Sequence, residues 1–149
     1  MSKTTYLLEE VTVKYKKRNR TITKIHSSLD IKNYICNIVD FDTLIEEHFY
    51  VIFLNRANNI IGWYQVSIGG VSASIVDIKK VLTAALGCLA SSIICVHNHP
   101  SGNLKPSNAD IKITNKIKNS IKLLDMSLLD HIIVGNNQEY YSFSDEGVL

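Results

Sequence analysis

Ser91-Ser92-Ile93-Ile94-Cys95-Val96-His97-Asn98-His99-Pro100-Ser101-Gly102-Asn103-Leu104-Lys105-Pro106-Ser107-Asn108-Ala109-Asp110 is the stretch whose reading decides the fold. Small and β-branched residues lead into two histidines, which places His97 and His99 at the end of a buried strand. Alternate residues of a strand share a face, so both imidazoles point the same way. Pro100, Ser101 and Gly102 carry turn chemistry that lets the chain fold back. The lysine-studded segment that follows reads as an amphipathic helix whose first turn presents Asp110 to the histidines. Two imidazoles and a carboxylate suit a borderline cation such as zinc, and three protein ligands leave a fourth position for water, the pattern of a catalytic rather than a structural site.

The same residues satisfy a second pattern. Ser107 followed three residues later by Asp110 is a form of the helix capping box, with serine as N-cap and an acidic side chain at N3. Capping accounts for Ser107 and Asp110 without a metal. It leaves two histidines at the mouth of an apolar strand, where an uncompensated polar pair is costly. The two readings are compatible, since a cap orients the helix whose first turn carries a ligand.

His97-x-His99, seven residues, Ser107, two residues, Asp110 resembles the JAMM signature of the JAB/MPN metalloproteases. The words His97-Asn98-His99-Pro100-Ser101-Gly102-Asn103, Pro106-Ser107, Ala109-Asp110 and Asp130-His131-Ile132-Ile133-Val134-Gly135 are similar to its RadC-like branch, from about Glu47 to the C-terminus. The resemblance implies a three-layer cytidine deaminase-like α/β fold, with zinc held by His97, His99 and Asp110. It also implies a glutamate at the start of a central strand as general base, which falls on Glu47, and a hydroxyl at Ser107 that stabilises an oxyanion. Parity separates Glu47, on the face of Phe49 and Val51, from Glu46, on the face of Tyr50 and Ile52. A solvated acidic pair ahead of a strand explains Glu46 and Glu47 equally well without the family. Many RadC-like chains carry Pro-Arg-Glu ahead of the preceding helix, where this one reads Asp77-Ile78-Lys79-Lys80. His131 and His48 read as structural sheet residues outside the ligand set.

Composition sets bounds on the function. A chain of 149 residues has room for one core, and it reads as a single domain over 1–149 with 1–25 as an N-terminal extension strand. The helical DNA-binding-like region of full-length RadC-like proteins has no room here. A net charge of +2 is too small to argue for nucleic acid or a membrane surface. No apolar run is long enough to span a bilayer, and Met1 to Thr5 lack a signal-peptide profile, so a cytoplasmic location is expected. Cys36, Cys88 and Cys95 form no CxxC pair and sit in apolar surroundings, as small buried hydrophobes of a reducing compartment do.

Along the chain, residues 6–25 read as a strand running into the basic patch Lys14, Lys16, Lys17, Arg18 and Arg20. That patch suits either phosphate contact or a solvated edge. Ser27 and Ser28 cap a helix with Ile31, Tyr34, Ile35 and Ile38 on one face, ended by Asp40-Phe41-Asp42. Phe49–Leu54, apolar on both faces, is a central strand. It turns at 55–59 and returns over 60–67, and a short extended piece follows the Gly69-Gly70 break at 71–76. Asp77 caps a helix with Ile78, Val81, Leu82, Ala85, Leu86 and Leu89 in one stripe. A helix over 108–125 puts Ala109, Ile113, Ile117, Ile121 and Leu124 inward. Strands follow at 128–134 and 140–143. The pattern predicts a mixed sheet with helices packed on it, α/β or α+β. Three functions remain in view: a zinc-dependent hydrolase of peptide or isopeptide bonds, a DNA-repair accessory protein that contacts nucleic acid, and a JAB-type binding module without catalysis.

Overall fold

The computed structural model describes residues 22–69 and 76–149. The basic patch at 14–20, nearly all of the strand expected at 6–25 and all but Val76 of the extended piece expected at 71–76 lie outside the described residues. Five strands form one mixed sheet: β1 (His48–Leu54), β2 (Ile60–Ile68), β3 (Ser92–Asn98), β4 (Ser127–Val134) and β5 (Tyr140–Ser142), in the order β2-β1-β3-β4-β5. Every pairing is antiparallel except β3 with β4. Those two are parallel because a helix carries the chain back between them, which a short turn cannot do.

Three helices complete the fold: α1 (Ser28–Cys36), α2 (Ile78–Gly87) and α3 (Asn108–Lys122). Each begins where a side chain meets its first free amides: Ser27 for α1, Asp77 for α2 and Ser107 for α3. The apolar run of β1 is buried on both faces, as expected for an inner strand. Phe49, Val51 and Phe53 pack with Val81 and Ala85 of α2 and Ile117 and Ile121 of α3. Tyr50, Ile52 and Leu54 pack on the other side with Ile31 and Ile35 of α1. Helices therefore cover both faces of the sheet in an α+β arrangement. Among the described residues no helix is long and apolar enough to cross a membrane.

Several expectations need correction. In α3 the inward face is Asp110, Thr114, Ile117 and Ile121, while Ala109 is exposed, Ile113 is only half-buried and Leu124, beyond the helix, is 39% exposed. Ile117 and Ile121 are buried as expected; in the first turns polar residues near the site claim the inward positions, so the apolar stripe misplaces the face there. Leu86 is 49% exposed, and Leu89, past the end of α2 with a positive φ, is 84% exposed. Helix α1 stops at Cys36, before the predicted Asp40 boundary, and Ile38 is 40% exposed. Cys95 is buried and its thiol is pushed far up by burial, whereas Cys36 and Cys88 are half-buried.

Asp130 ties β4 to the C-terminal segment. Its buried carboxylate accepts from Ser142 Oγ at 2.7 Å, Ser144 N at 3.0 Å and His131 N at 2.7 Å. Asp130→Ala strands those donors and is expected to destabilise the protein by about 2–4 kcal/mol. Urea unfolding with an unchanged m-value is the check; a loss below about 0.5 kcal/mol, the level of an ordinary surface change, contradicts the assignment.

Candidate metal centre

The ligand set predicted from spacing comes together at the carboxyl end of β3. His97 is its penultimate residue, His99 follows the strand, and Asp110 sits in the first turn of α3. The donor atoms of the three side chains lie within 4.8 Å of one another. His97 Nε2 is 3.0 Å from His99 Nε2 and 3.2 Å from Asp110 Oδ1, and His99 Nε2 is 3.4 Å from Asp110 Oδ2. The parallel β3–α3–β4 unit brings this about, because it sets the N-terminus of α3 above the strand end.

The capping box is present alongside this geometry. Ser107 Oγ accepts from Asp110 N at 3.1 Å, and Ser107 N donates to Asp110 Oδ2 at 2.7 Å. The serine therefore caps the helix and also fixes the rotamer of the carboxylate. Ser107 itself is exposed, and its hydroxyl proton is not spent on the cap.

Hydrogen-bond chemistry assigns the protons. Thr114 Oγ1 is 2.6 Å from the Asp110 carbonyl, which only accepts, so the threonine proton goes there. Thr114 Oγ1 is also 2.6 Å from His131 Nδ1, and with its own proton committed it must accept; His131 carries hydrogen on Nδ1. His131 is fully buried, and burial together with the neighbouring His97 holds its pKa well below the ordinary value. A neutral ring protonated at Nδ1 accepts at Nε2, so His97 Nδ1 donates to it across 2.8 Å. His99 Nδ1 likewise donates to the carbonyl of Asn103. Both rings are thus protonated on the outer nitrogen, and both Nε2 lone pairs converge on each other and on Asp110.

Three acceptors at such distances repel unless positive charge lies among them. The electrostatics of the cluster show that demand. Burial acts to raise the pKa of Asp110, yet once Nε2 of His97 and of His99 takes up a second proton, their hydrogen bonds to the carboxylate hold it far below the usual range. The hydrogen bond with Asp110 raises His99. A divalent cation meets the same demand without a proton. The two nitrogens, 3.0 Å apart, and the carboxylate, whose oxygens lie 3.2 and 3.4 Å from them, are close enough to share one ion, since bonds of about 2.0–2.1 Å in a tetrahedral site set donors about 3.3–3.4 Å apart. The donor set fits a metal.

Glu47 stands one residue ahead of β1, half-buried, and close enough for its charge to help raise His99. Phe49, two residues on, stacks on His97 with ring centroids 5.8 Å apart. Glu46 is exposed, and a Cβ on Gly69 would lie 3.4 Å from its carboxylate. His48 is structural as expected, bonded through Nδ1 to Tyr50 and Gln65. His131 stays outside the ligand set but orients it. Thr114 and the buried Asn98 went unrecognised in the sequence; for Asn98 the available signal was a carboxamide inside an apolar strand.

Comparison with known proteins follows the same lines. The family model described as the RadC-like JAB domain matches residues 25–148. A UPF0758 protein of Flavobacterium johnsoniae is 43% identical over 127 residues, covering 85% of this chain and 54% of its own length. One from Chlorobaculum parvum is 40% identical over 126 residues, 85% of this chain and 55% of that protein. One from Streptococcus suis is 46% identical over 101 residues, 68% and 41% respectively. The chain spans about half the length of the curated relatives it matches.

Thr114→Val removes the hydroxyl that ends the proton chain while keeping the helix shape. The expected result is a 10–100-fold loss of zinc affinity with little change in fold, read by competition with a chromophoric chelator. His97→Ala and Asp110→Ala are expected to abolish binding of one equivalent; metal analysis showing full zinc content in either variant overturns the ligand assignment.

Proposed function

The chain belongs to the RadC-like JAB domain family, and from that premise we propose that it is a JAMM-type metal-dependent hydrolase of peptide or isopeptide bonds, with zinc as its cation. The single observation that carries the reading is the convergence of two Nε2 lone pairs and a carboxylate, each orientation enforced by a partner behind it. The mixed sheet with helices on both faces supports the three-layer cytidine deaminase-like arrangement that the family implies.

His97, His99 and Asp110 would hold the cation. With an open coordination position it supplies a Lewis acid and brings a water's pKa towards neutrality. Glu47 accepts the proton that the attacking water gives up and passes it to the leaving amine, a general base turned general acid. Its place beside His99 suits that role, and Glu46, on the other parity, does not share it. Ser107 Oγ donates its unspent proton to the oxygen that becomes negative on the scissile carbonyl. His131 and Thr114 keep His97 in the tautomer that ligation needs.

The test is a comparison of three samples on a proteome-derived peptide library, with new termini read by mass spectrometry. Zinc-loaded protein is expected to cleave, while chelator-treated protein and Glu47→Gln are not, although Glu47→Gln retains one zinc. Ser107→Ala is expected to lower kcat by about 10²-fold if its hydroxyl faces the oxyanion, against a stability loss of about 1 kcal/mol for the cap alone. Cleavage by Glu47→Gln at the wild-type rate moves the base to another residue, and no cleavage by any sample sinks the hydrolase reading.

A further inference from the structure

Asn98 lies between the two histidines and points to the opposite face of β3, away from the metal centre. It is 2% exposed, and both ends of its carboxamide are engaged. Asn98 Oδ1 accepts from His48 N at 2.8 Å, and Asn98 Nδ2 donates to the Glu46 carbonyl at 3.1 Å. Those two backbone groups belong to the peptide units on either side of Glu47. A third tie comes from the residue after β2: Gly69 N donates to the Glu47 carbonyl at 2.8 Å.

This arrangement sits where the sheet runs out. The β1–β3 ladder ends at Phe49 opposite His97. Beyond it β3 leaves through His99 and Pro100, and the backbone at 46–48 loses its partner on the β3 side while His48 stays opposite Ile68 of β2. The Asn98 side chain takes the place of the lost partner. Without it, a segment carrying a half-buried acidic side chain is held from the β2 side alone.

We propose that Asn98 is a positioning residue for Glu47, gripping the backbone on both sides of it and so fixing where the carboxylate stands relative to His97 and His99. The inference rests on the reading of Glu47 as the proton acceptor. One dipeptide, His97-Asn98, then sets both halves of the site, the first residue by ligation and the second by holding the base. Glutamine at this position is one methylene too long for both bonds. Aspartate keeps the bond from His48 N but sets an anion against the Glu46 carbonyl.

The test uses the full chain with cobalt(II) as the probe, following the pH midpoint of its visible absorption in wild type, Glu47→Gln, Asn98→Asp, Asn98→Ala and the double variant Glu47→Gln/Asn98→Asp. Glu47→Gln is expected to move the midpoint by about 0.5–1 pH unit. Asn98→Asp is expected to shift it the same way by at least half as much, with cobalt affinity unchanged within about threefold, and the double variant should match Glu47→Gln alone. A second arm needs no metal: exchange of the His48 amide, read by NMR, is expected to quicken at least about tenfold in Asn98→Ala. A wild-type midpoint in Asn98→Asp beside a shifted Glu47→Gln overturns the positioning role, as do shifts that add in the double variant or an unchanged His48 amide. A wild-type midpoint in Glu47→Gln with His48 quickened overturns the Glu47 reading instead, which separates the two failures.

Discussion

A carbonyl oxygen cannot give a proton, and the organisation of this site follows from that. The carbonyl of Asp110 takes the proton of Thr114, which obliges Thr114 to accept from His131, which obliges His131 to accept from His97. The carbonyl of Asn103 settles His99 in the same manner. Two imidazoles are left with their lone pairs facing inward beside an anion. Desolvation makes the arrangement strict: His131 and His97 are fully buried, so water cannot substitute for a lost partner.

The fold serves this constraint. Parallel pairing of β3 and β4 sets His97 beside Ile133 in the ladder and His131 beside Cys95, close enough for the two rings to meet at a centroid distance of 4.8 Å. Phe49 and Phe143 close the remaining sides by stacking, on His97 and on His131 respectively. Helix α3 contributes both the carboxylate and the threonine from successive turns of one face, so ligand and orienting hydroxyl cannot move independently. Asp130 holds the strand behind them through Ser142 and Ser144.

Much of this was legible in the amino-acid order. Strand period and turn residues placed His97 and His99 on one face, the Ser107–Asp110 spacing announced both a cap and a ligand, and β1 declared itself by being apolar on both sides. The face of α3 was read one position off in its first two turns only, because a face that buries Asp110 and Thr114 offers fewer apolar residues there than its neighbour with Ala109 and Ile113, while Ile117 and Ile121 lie inward as read. Thr114 and His131 are 17 residues apart, and the pairing exists only once β4 lies beside β3. Asn98 was hidden for a similar reason: its partners at 46 and 48 are about fifty positions away, and a carboxamide carries no spacing rule of its own.

The loop after β3 turns through Gly102, whose φ of +77° favours glycine, and a Cβ there would come within 2.6 Å of the Asn136 side chain. Gly135 faces back on Leu104 in the same tight contact. The two glycines thus let the turn after His99 lie directly against the loop that follows β4, with the Gly102 carbonyl 3.1 Å from where a Cβ on Gly135 would stand. A side chain at either position would push those loops apart and carry His99 with them, so the spacing of the imidazoles is set in part by two residues that have nothing to coordinate with.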